Sequence, residues 1–360
     1  MLSYMSAKEV AQKWNISQRR VAILCSEQRI KGVMMVGNMW IIPSTANKPI
    51  DKREKKVKEM KSELKPFVKW VGGKGQLLSE IDKYITYDNT KTKYAEPMVG
   101  GGALLFYVLS NYHFDELYIS DINKELINAY QVIKDNVENL ISKLTDMQSA
   151  YLSMDENGRK YYYYSVRDRY NSIPLNEKTS IDKATLLIFL NKTCFNGLYR
   201  VNKKGQFNVP MGSYKNPTIC DETNLRNISI ALKNVHIVCG DYTLANEFID
   251  NKTFVYIDPP YRPISQTSDF TSYNSVEFGD DEQIRLSQFI KEIDKKGARI
   301  VLSNSDPQNV NQEDTFFEDL YEGYKIDKID ASRMINSKAE GRGKIKELLI
   351  SNCNVKGERK

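Results

Sequence analysis

Short, uniformly apolar runs alternate along most of the chain with longer segments in which apolar residues recur every three or four positions. The short runs have the length of buried strands, and the periodic segments are typical of helices that pack on a sheet. The predicted strands begin near residues 94, 116, 235, 254, 298, 324 and 347. The pattern therefore predicts an α/β fold with a mixed sheet of seven strands.

The first 47 residues follow a different pattern, in which two short helices precede a hairpin. Ser6 and Glu9 have the spacing of a capping box and open a helix that ends near Trp14. Ser17 is placed to cap a second helix over residues 18–26. Two helices joined by so short a turn predict a helix-turn-helix.

A hairpin predicted over residues 29–43 completes a segment that resembles small winged helix-turn-helix DNA-binding modules. Arg19 and Arg20 lie in the first turn of the second helix, the part of such modules that enters the major groove. We therefore predict DNA contacts at these two residues. The alternative is a three-element interaction domain that does not touch DNA.

Net charge is distributed unevenly along the 360 residues. It is +6 in total, with +4 in residues 1–47, +4 in residues 48–65 and −2 in residues 66–360. A basic excess at one end is typical of a module that meets a polyanion, although a solvated basic surface has the same composition. These shifts predict a helix-turn-helix module over 1–47, a charged linker over 48–65 and a large domain over 66–360.

Cysteine, histidine and hydropathy patterns argue against several classes of protein. The five cysteines include no Cys-x-x-Cys pair, and there are only two histidines. This composition argues against a metal site and for reduced thiols in a cytoplasmic protein. No apolar run reaches the roughly 18 residues of a membrane span, and the first residues carry no signal-peptide pattern. We therefore expect a cytoplasmic protein with neither a metal nor a membrane association.

The predicted strand 254–257 leads directly into Asp258-Pro259-Pro260-Tyr261. Ligands of open α/β sheets bind beyond the carboxyl ends of the strands. The two prolines stiffen the chain, and an Asp258 oxygen and the Pro259 carbonyl can each accept an N–H bond from an exocyclic amino group. Tyr261 offers a face for stacking on a flipped base. Taken alone, the same residues also fit an ordinary turn.

A nucleotide cradle is predicted upstream. A strand near Glu96, the glycines 100–102 and a following helix form a Rossmann-like turn. Asp121 ends the next predicted strand about 20 residues later, where a carboxylate binds ribose hydroxyls. Trp70 offers a face and Lys74 a charge, in a loop that lacks the spacing of a Walker A motif. With the Asp-Pro-Pro-Tyr motif, these parts predict S-adenosylmethionine-dependent methylation of an amino group.

Residues 67–350 resemble the Dam-type DNA adenine N6-methyltransferases of the D12 class, in the motif order of that family's α group. The matching stretches are KWVGGK (69–74), EPMVGGG (96–102), DIN (121–123), NGLYR (196–200), FNVP (207–210) and DPPY (258–261). The resemblance implies cofactor contacts at Trp70, Lys74 and Asp121, and both a cofactor and a catalytic role for Asp258. Met98 departs from the family, which usually has an aromatic residue there; methionine can pack on a ring edge.

Asp241 follows another predicted strand and has two interpretations, a contact with the adenine amino group of the cofactor or an N-cap of the next helix. The expected cofactor is S-adenosyl-L-methionine. Its predicted contacts are Trp70, Lys74, Glu96, Met98, Gly100, Gly102, Asp121, Asp241 and Asp258. The predicted catalytic residues are Asp258, Pro259, Pro260 and Tyr261.

Residues 191–233 hold seven basic and two acidic residues among aromatics and glycines, a composition that fits nucleic-acid contact. The resemblance makes them the target-recognition part of an insertion over about 135–233. Arg200 is a candidate for bidentate recognition of guanine, and the lysines are expected to touch phosphates. The predicted DNA contacts here are Asn196, Leu198, Tyr199, Arg200, Lys203, Lys204, Pro210 and Lys215. Similarity to GATC-directed members of the family suggests a GATC site.

These predictions combine into a Rossmann-like methyltransferase sheet with an inserted target-recognition subdomain and a small N-terminal winged helix-turn-helix. The expected reaction is direct methyl transfer to N6 of adenine in duplex DNA, with the base flipped and no covalent enzyme intermediate. N4-cytosine methylation needs the same chemistry, but that class more often has Ser where Asp258 stands. A DNA-binding regulator with a silent methylase domain is the other alternative.

The expected partner is double-stranded DNA, bound by a monomer at the nucleoid. Neither a metal nor a membrane is an expected partner. A cognate restriction endonuclease that acts on the same site without binding this chain is left open.

Overall fold

The computed structural model describes residues 4–14, 16–27, 29–30, 32–37, 39–46, 64–70, 72–85, 90–262, 278–332 and 344–353. The chain divides into two compact units, Met1–Lys61 and Ser62–Lys360. The predicted linker, residues 48–65, lies outside the described residues except for Leu64 and Lys65. Each unit has a hydrophobic core of its own.

The first unit folds as two helices and a three-stranded antiparallel sheet. Its elements are β1 (Tyr4–Ser6), α1 (Ala7–Trp14), α2 (Gln18–Ser26), β2 (Met34–Val36) and β3 (Met39–Pro43), with strand order β1-β3-β2. Val10, Val21 and Ile42 bring both helices and β3 into one core. The predicted helices and hairpin are present. The sequence pattern does not predict β1, because a three-residue strand is too short to show a period.

Side-chain caps determine where both helices of this unit begin. The Glu9 carboxylate accepts a hydrogen bond from the Ser6 N–H at 2.7 Å, and the Ser6 hydroxyl accepts one from the Glu9 N–H at 3.3 Å. This is the predicted capping box. Ser17 Oγ accepts from the Arg20 N–H at 3.2 Å, as an N-cap does. The caps satisfy N–H groups that have no partner inside the helix, so local sequence is enough to place the helix starts.

The second unit is built on a mixed sheet of seven strands in the order β6-β5-β4-β7-β8-β10-β9. The strands are β4 (Lys93–Pro97), β5 (Glu116–Asp121), β6 (Val235–Cys239), β7 (Thr253–Ile257), β8 (Arg299–Ser305), β9 (Lys325–Ser332) and β10 (Lys344–Ser351). The first five in this order are parallel, whereas β10 runs antiparallel to β8 and β9. The prediction of a mixed, seven-stranded α/β sheet is confirmed.

All five residues of the central strand β7 are buried. Phe254 and Tyr256 join one core cluster, and Val255 and Ile257 join another. Since successive side chains of a strand point to opposite faces, both faces of the sheet are covered at β7. The strand order reverses between β4 and β7, and the crevice at such a reversal is where ligands of open α/β sheets bind.

Eight helices in the described part of this unit connect and cover the strands. They are α3 (Leu78–Asp82), α4 (Ala103–Asn111), α5 (Lys124–Ser153), α6 (Glu156–Ser172), α7 (Ser180–Thr193), α8 (Glu222–Leu232), α9 (Asp280–Lys295) and α10 (Phe316–Leu320). Among the described residues, no helix is long and apolar enough to cross a membrane.

Helix α5 is longer than the sequence pattern predicts, which is a helix over residues 122–134. The apolar pattern predicts an end near Lys134, whereas the helix continues to Ser153. Asn136 has non-helical angles, φ −135° and ψ 34°, and the buried face resumes at Leu140. The kink at Asn136 rotates the second half of the helix, so its apolar residues no longer continue the spacing of the first half. In the sequence, such a break in the spacing looks like the end of a helix.

Candidate active site

The carboxyl ends of the neighbouring strands β4, β5 and β7 carry Glu96, Asp121 and Asp258. Because parallel strands end at the same edge of a sheet, three carboxyl groups from distant parts of the sequence meet at the strand-order reversal. A concentration of buried or half-buried carboxyl groups is typical of functional sites.

The two oxygens of Asp258 differ in their contacts with the described residues. Its Oδ1 accepts hydrogen bonds from Ser303 Oγ at 2.9 Å and pairs with Lys74 Nζ at 3.0 Å. Ser303 Oγ also lies 3.0 Å from the Tyr256 hydroxyl. No hydrogen bond from the described residues reaches Oδ2. Burial raises the pKa of Asp258, and the charge and hydrogen bonds of Lys74 and Ser303 oppose that rise.

The two prolines differ in what their carbonyl groups contact. The Pro260 carbonyl accepts from Gln283 Nε2 at 3.2 Å, and Gln283 is itself held by Asn304 at 3.2 Å. Among the described residues, no hydrogen bond reaches the Pro259 carbonyl. Asp258 Oδ2 and the Pro259 carbonyl are thus two acceptors, one residue apart, that receive no hydrogen bond from the described residues.

Lys74 contacts two residues of the Asp-Pro-Pro-Tyr motif, Asp258 and Tyr261. Its side chain is 5% exposed and donates to the Gly72 carbonyl at 3.2 Å and to the Tyr261 hydroxyl. The Tyr261 hydroxyl in turn donates to Glu347 Oε2 at 2.6 Å. Sequence reasoning missed Ser303 and Glu347, because only the pairing of β7, β8 and β10 brings them to Asp258.

The glycine-rich turn is held by Asp121 and covered by Trp70. Asp121 accepts from the Gly100 N–H at 3.0 Å and from the Asn123 N–H at 2.8 Å. A Cβ on Gly101 would lie 2.8 Å from the Trp70 Cβ, so only glycine permits this approach. Burial raises the pKa of Asp121, and the two backbone hydrogen bonds lower it.

Glu96 lies deeper than the other two carboxyl groups, with 3% of its surface exposed. The Tyr94 hydroxyl donates to it at 2.7 Å. Burial raises the pKa of Glu96 to about 8, with a further contribution from the charge on Asp258. Glu96 is therefore mostly protonated at neutral pH.

Trp70 joins the turn to the predicted recognition loop. Its ring stacks on Tyr199, with centroids 5.0 Å apart and an interplanar angle of 21°. Asn191, 1% exposed, makes a second link: its amide accepts from Lys69 N–H at 2.8 Å and donates to the Lys69 and Gly197 carbonyls, both at 2.9 Å. Sequence reasoning missed Asn191, since nothing in its neighbourhood marks a contact over more than 100 positions.

Residues 70–335 match the family of D12 class N6 adenine-specific DNA methyltransferases. The chain belongs to this family. The type II methyltransferase M.MjaIII of Methanocaldococcus jannaschii is 52% identical over 295 residues, which are 81% of this chain and 99% of that protein. The type II methyltransferase M1.LlaDCHI of Lactococcus lactis subsp. cremoris is 40% identical over 81% of this chain and 96% of its own. The DNA adenine methylase of Haemophilus influenzae is 35% identical over 82% and 96%.

The methyltransferase uses S-adenosylmethionine as methyl donor, and the residues at the strand ends fit this group. The turn at 100–102 is a cradle that a single Cβ would fill, and the half-buried Trp70 ring borders it. Asp121 is partly exposed and supplies carboxylate oxygens suited to ribose hydroxyls. No group of three or more metal-ligating side chains occurs in the described ranges.

Two of the predicted cofactor contacts, Asp241 and Met98, also make contacts within the protein. Asp241 Oδ1 accepts from Thr243 N–H at 3.0 Å and pairs with Arg285 at 2.7 Å, which is the capping role that sequence reasoning left open. Burial would raise the pKa of Asp241, but the hydrogen bonds from Thr243 and Arg285 hold it below its usual value. Met98 has φ 153°, which L-residues rarely adopt, and packs against the core cluster of β7 and β8.

The predicted DNA contacts of the methyltransferase are mostly exposed. Asn196, Lys203, Lys204, Pro210 and Lys215 are exposed, and Leu198 is half-buried. Arg200 is also exposed, and Asn208 holds its guanidinium at 2.8 and 3.3 Å. Tyr199 differs: it is 5% exposed and donates to Glu125 at 3.1 Å, so it faces the core.

Phe195 is a further candidate for contact with DNA that sequence reasoning missed. It is 52% exposed and precedes Asn196, whose φ of 56° lies in the left-handed region.

The two predicted DNA contacts of the first unit lie in the first turn of α2. Arg19 is exposed there and Arg20 is half-buried.

Proposed function

We propose that the methyltransferase methylates adenine within GATC and that Asp258, Pro259 and Tyr261 hold the flipped base. The residue roles rest on two acceptors, Asp258 Oδ2 and the Pro259 carbonyl, which no donor in the described part of the chain reaches. They match the two N–H bonds of an adenine amino group in number and polarity. Tyr261, tied by Lys74 and Glu347, supplies the stacking face.

The chemistry follows from the polarity of these groups. When bound, S-adenosylmethionine supplies an electrophilic methyl group. The adenine amino nitrogen is a poor nucleophile because its lone pair is delocalised into the ring. Asp258 Oδ2 and the Pro259 carbonyl accept its two N–H bonds, localise that lone pair and stabilise the positive charge that grows on nitrogen. Loss of one such preorganised partner costs about 10²–10³ in kcat.

Site recognition is assigned to residues 191–233, as part of a target-recognition subdomain over about 135–233. Arg200 supports this role because it is exposed and held in one orientation by Asn208. Bidentate guanidinium contacts with guanine are worth about 1–3 kcal/mol of discrimination. The GATC assignment itself rests on the similarity of residues 196–200 and 207–210 to GATC-directed members of the family.

The first unit is proposed to be a winged helix-turn-helix that binds DNA. Support comes from α1, α2 and the β2–β3 hairpin, with Arg19 and Arg20 in the first turn of α2. The alternative of a small interaction domain stays open. We further propose that the enzyme acts as a monomer at the nucleoid. Two relatives are named type II methyltransferases, which supports a cognate restriction endonuclease of the same specificity that does not bind this chain.

Transfer of labelled methyl groups to short duplexes tests these assignments. One duplex holds GATC, a second a permuted site, and a third GATC with N6-methyladenine on both strands, with Asp258→Ala as the blank. We expect label in the first duplex alone and none with Asp258→Ala. Label in the permuted duplex would refute GATC and keep the chemistry. Label in cytosine would favour N4-cytosine methylation, and binding without any label would favour the silent regulator.

A further inference from the structure

Glu347 lies outside the six short motifs that carry the resemblance to the family. It stands on the antiparallel strand β10, opposite Ser305 of β8, and beyond residue 335, where the match to the family ends. Its side chain is 13% exposed. Glu347 lies in the interior of β10 and is followed by the buried apolar run Leu348–Ile350. A partly buried carboxylate there is costly unless it is paired, so its partners are informative.

In the described part of the chain, the Glu347 carboxylate contacts Tyr261 and Lys74. Glu347 Oε2 accepts from the Tyr261 hydroxyl at 2.6 Å and lies 3.7 Å from Lys74 Nζ. The Tyr261 hydroxyl accepts from Lys74 and donates to Glu347. A phenol hydroxyl has one proton to donate, and Tyr261 donates it to Glu347. Because the same hydroxyl also accepts from Lys74, two hydrogen bonds fix the position of the ring.

Glu347 also changes the charge around Asp258. Asp258 and Glu347 are two carboxylates that share the one ammonium of Lys74, at 3.0 and 3.7 Å. If Glu347 were neutral, Lys74 would pair with Asp258 alone and withdraw more of its negative charge. The carboxylate that stabilises a growing positive charge on the amino group would then be less effective.

We propose that Glu347 is a positioning residue for methyl transfer, which orients Tyr261 and shares Lys74 with Asp258. The proposal rests on the assignment of Asp258 and Tyr261 to the flipped base. It adds a residue from an antiparallel strand to a site otherwise built from loops and parallel strand ends. Glu347 touches neither the reacting nitrogen nor the methyl group in this account, since it acts through Tyr261 and Lys74.

Substitutions Glu347→Ala and Glu347→Gln in the full chain test the proposal. We expect Glu347→Ala to lower kcat by about 10- to 100-fold, the range that follows from misplacement of a reacting group by about 1 Å. The dissociation constant for S-adenosylmethionine should change less than about twofold. Glu347→Gln keeps an acceptor for Tyr261 and should lose less activity than Glu347→Ala. Asp330→Asn, which breaks the exposed Lys346–Asp330 pair one strand away, is the control and should leave kcat unchanged.

A double-mutant cycle with Tyr261→Phe separates positioning from support of the fold. If Glu347 acts through the Tyr261 hydroxyl, Glu347→Ala should cost much less kcat in the Tyr261→Phe background than in the wild type. A second readout is the acid limb of the pH profile. The charge on Glu347 raises the pKa of Asp258, so Glu347→Gln should move that limb to lower pH.

The outcomes separate a failure of the proposed function from a failure of the role proposed for Glu347. Wild-type enzyme that transfers no methyl group to any duplex would refute the proposed function itself. An active wild type with a Glu347→Ala variant within about twofold of it would refute only the role of Glu347. Additive losses in the cycle, together with an unshifted pH profile in Glu347→Gln, would reduce Glu347 to a residue that stabilises the fold.

Discussion

Glu96 combines near-complete burial with a neighbouring carboxylate, and both raise the free energy of its charged form. Its pKa in the folded protein is about 8, whereas a glutamate in the unfolded chain releases its proton near pH 4.5. Between these values the folded state binds one more proton than the unfolded state. The contribution of Glu96 to stability is therefore lost as the pH rises, the opposite of a carboxylate in a salt bridge.

Glu96→Gln should remove this pH dependence, because glutamine has nearly the same shape and does not titrate. The free energy of unfolding of the variant relative to the wild type should grow between pH 5 and pH 8, by up to about 1.4 kcal/mol per pH unit. Urea unfolding at each pH measures it. The exposed Glu138, whose pKa the Arg226 hydrogen bond lowers, provides a control substitution that should show no such growth. Parallel pH profiles for Glu96→Gln and wild type would contradict the raised pKa.

The element that joins β4 to α4 depends on three consecutive glycines. Gly102 has φ 72° and serves as the residue before α4, and a Cβ there would collide with the Tyr130 hydroxyl and lie 3.1 Å from the Phe106 ring. Tyr130 also donates to the Gly100 carbonyl at 3.0 Å. The turn is thus shaped by its backbone angles and by the helix that packs beneath it.

Gly102→Ala should destabilise the protein and weaken cofactor binding. The left-handed backbone costs about 1–2 kcal/mol for a residue with a Cβ, and overpacking adds about 1–3 kcal/mol. Gly323→Ala is the matched control, since φ is 88° there and a Cβ would meet no atom within 4 Å. It should show the backbone cost alone, and its affinity for S-adenosylmethionine should not change. Equal unfolding free energies for the two variants would show that Tyr130 and Phe106 give way.

At the scale of the whole molecule, two units carry different shares of the charge. Residues 1–47 carry +4, although they are a small part of the chain, and their basic residues include Arg19 and Arg20 at the start of α2. Phosphate contacts by such residues release counterions, which makes DNA affinity depend on salt. The second unit holds the residues proposed for catalysis. Substitution of basic residues in the first unit should therefore change DNA binding without changing the chemical step.

The double substitution Arg19→Ala/Arg20→Ala should weaken DNA binding and leave kcat unchanged. If each arginine contacts one phosphate, the slope of log affinity against log salt should fall in magnitude by about 1.8. Lys8→Ala/Lys13→Ala removes the same charge from α1 and should change the slope less. Titration of duplex DNA at several salt concentrations measures both slopes. An unchanged slope in the arginine variant would favour an interaction domain that does not touch DNA.

Features of the fold and of the candidate site that depend on residues close together in the sequence could be predicted. The Ser6–Glu9 capping box is one case, because its groups lie three positions apart. The acceptors of Asp258 and Pro259 are another, because a buried strand followed by two prolines places them at a strand end. The position of Asp121 at the carboxyl end of a strand could be predicted as well. The alternation of strands and helices predicts a parallel sheet, in which such strand ends lie at one edge.

The sequence by itself determined the α/β fold, the place of residues 258–261 after a buried strand, the glycine turn at 100–102 and the two caps. Each of these depends on local periodicity or on spacings of a few residues. Only the tertiary structure decided that Ser303 hydrogen-bonds to Asp258 and that Glu347 accepts from Tyr261. It also decided that Tyr199 stacks on Trp70 and faces the core. Those contacts join strands and loops that are far apart in the sequence. Strand pairing and packing select such partners, and neither leaves a signal in the residues that surround each partner along the chain.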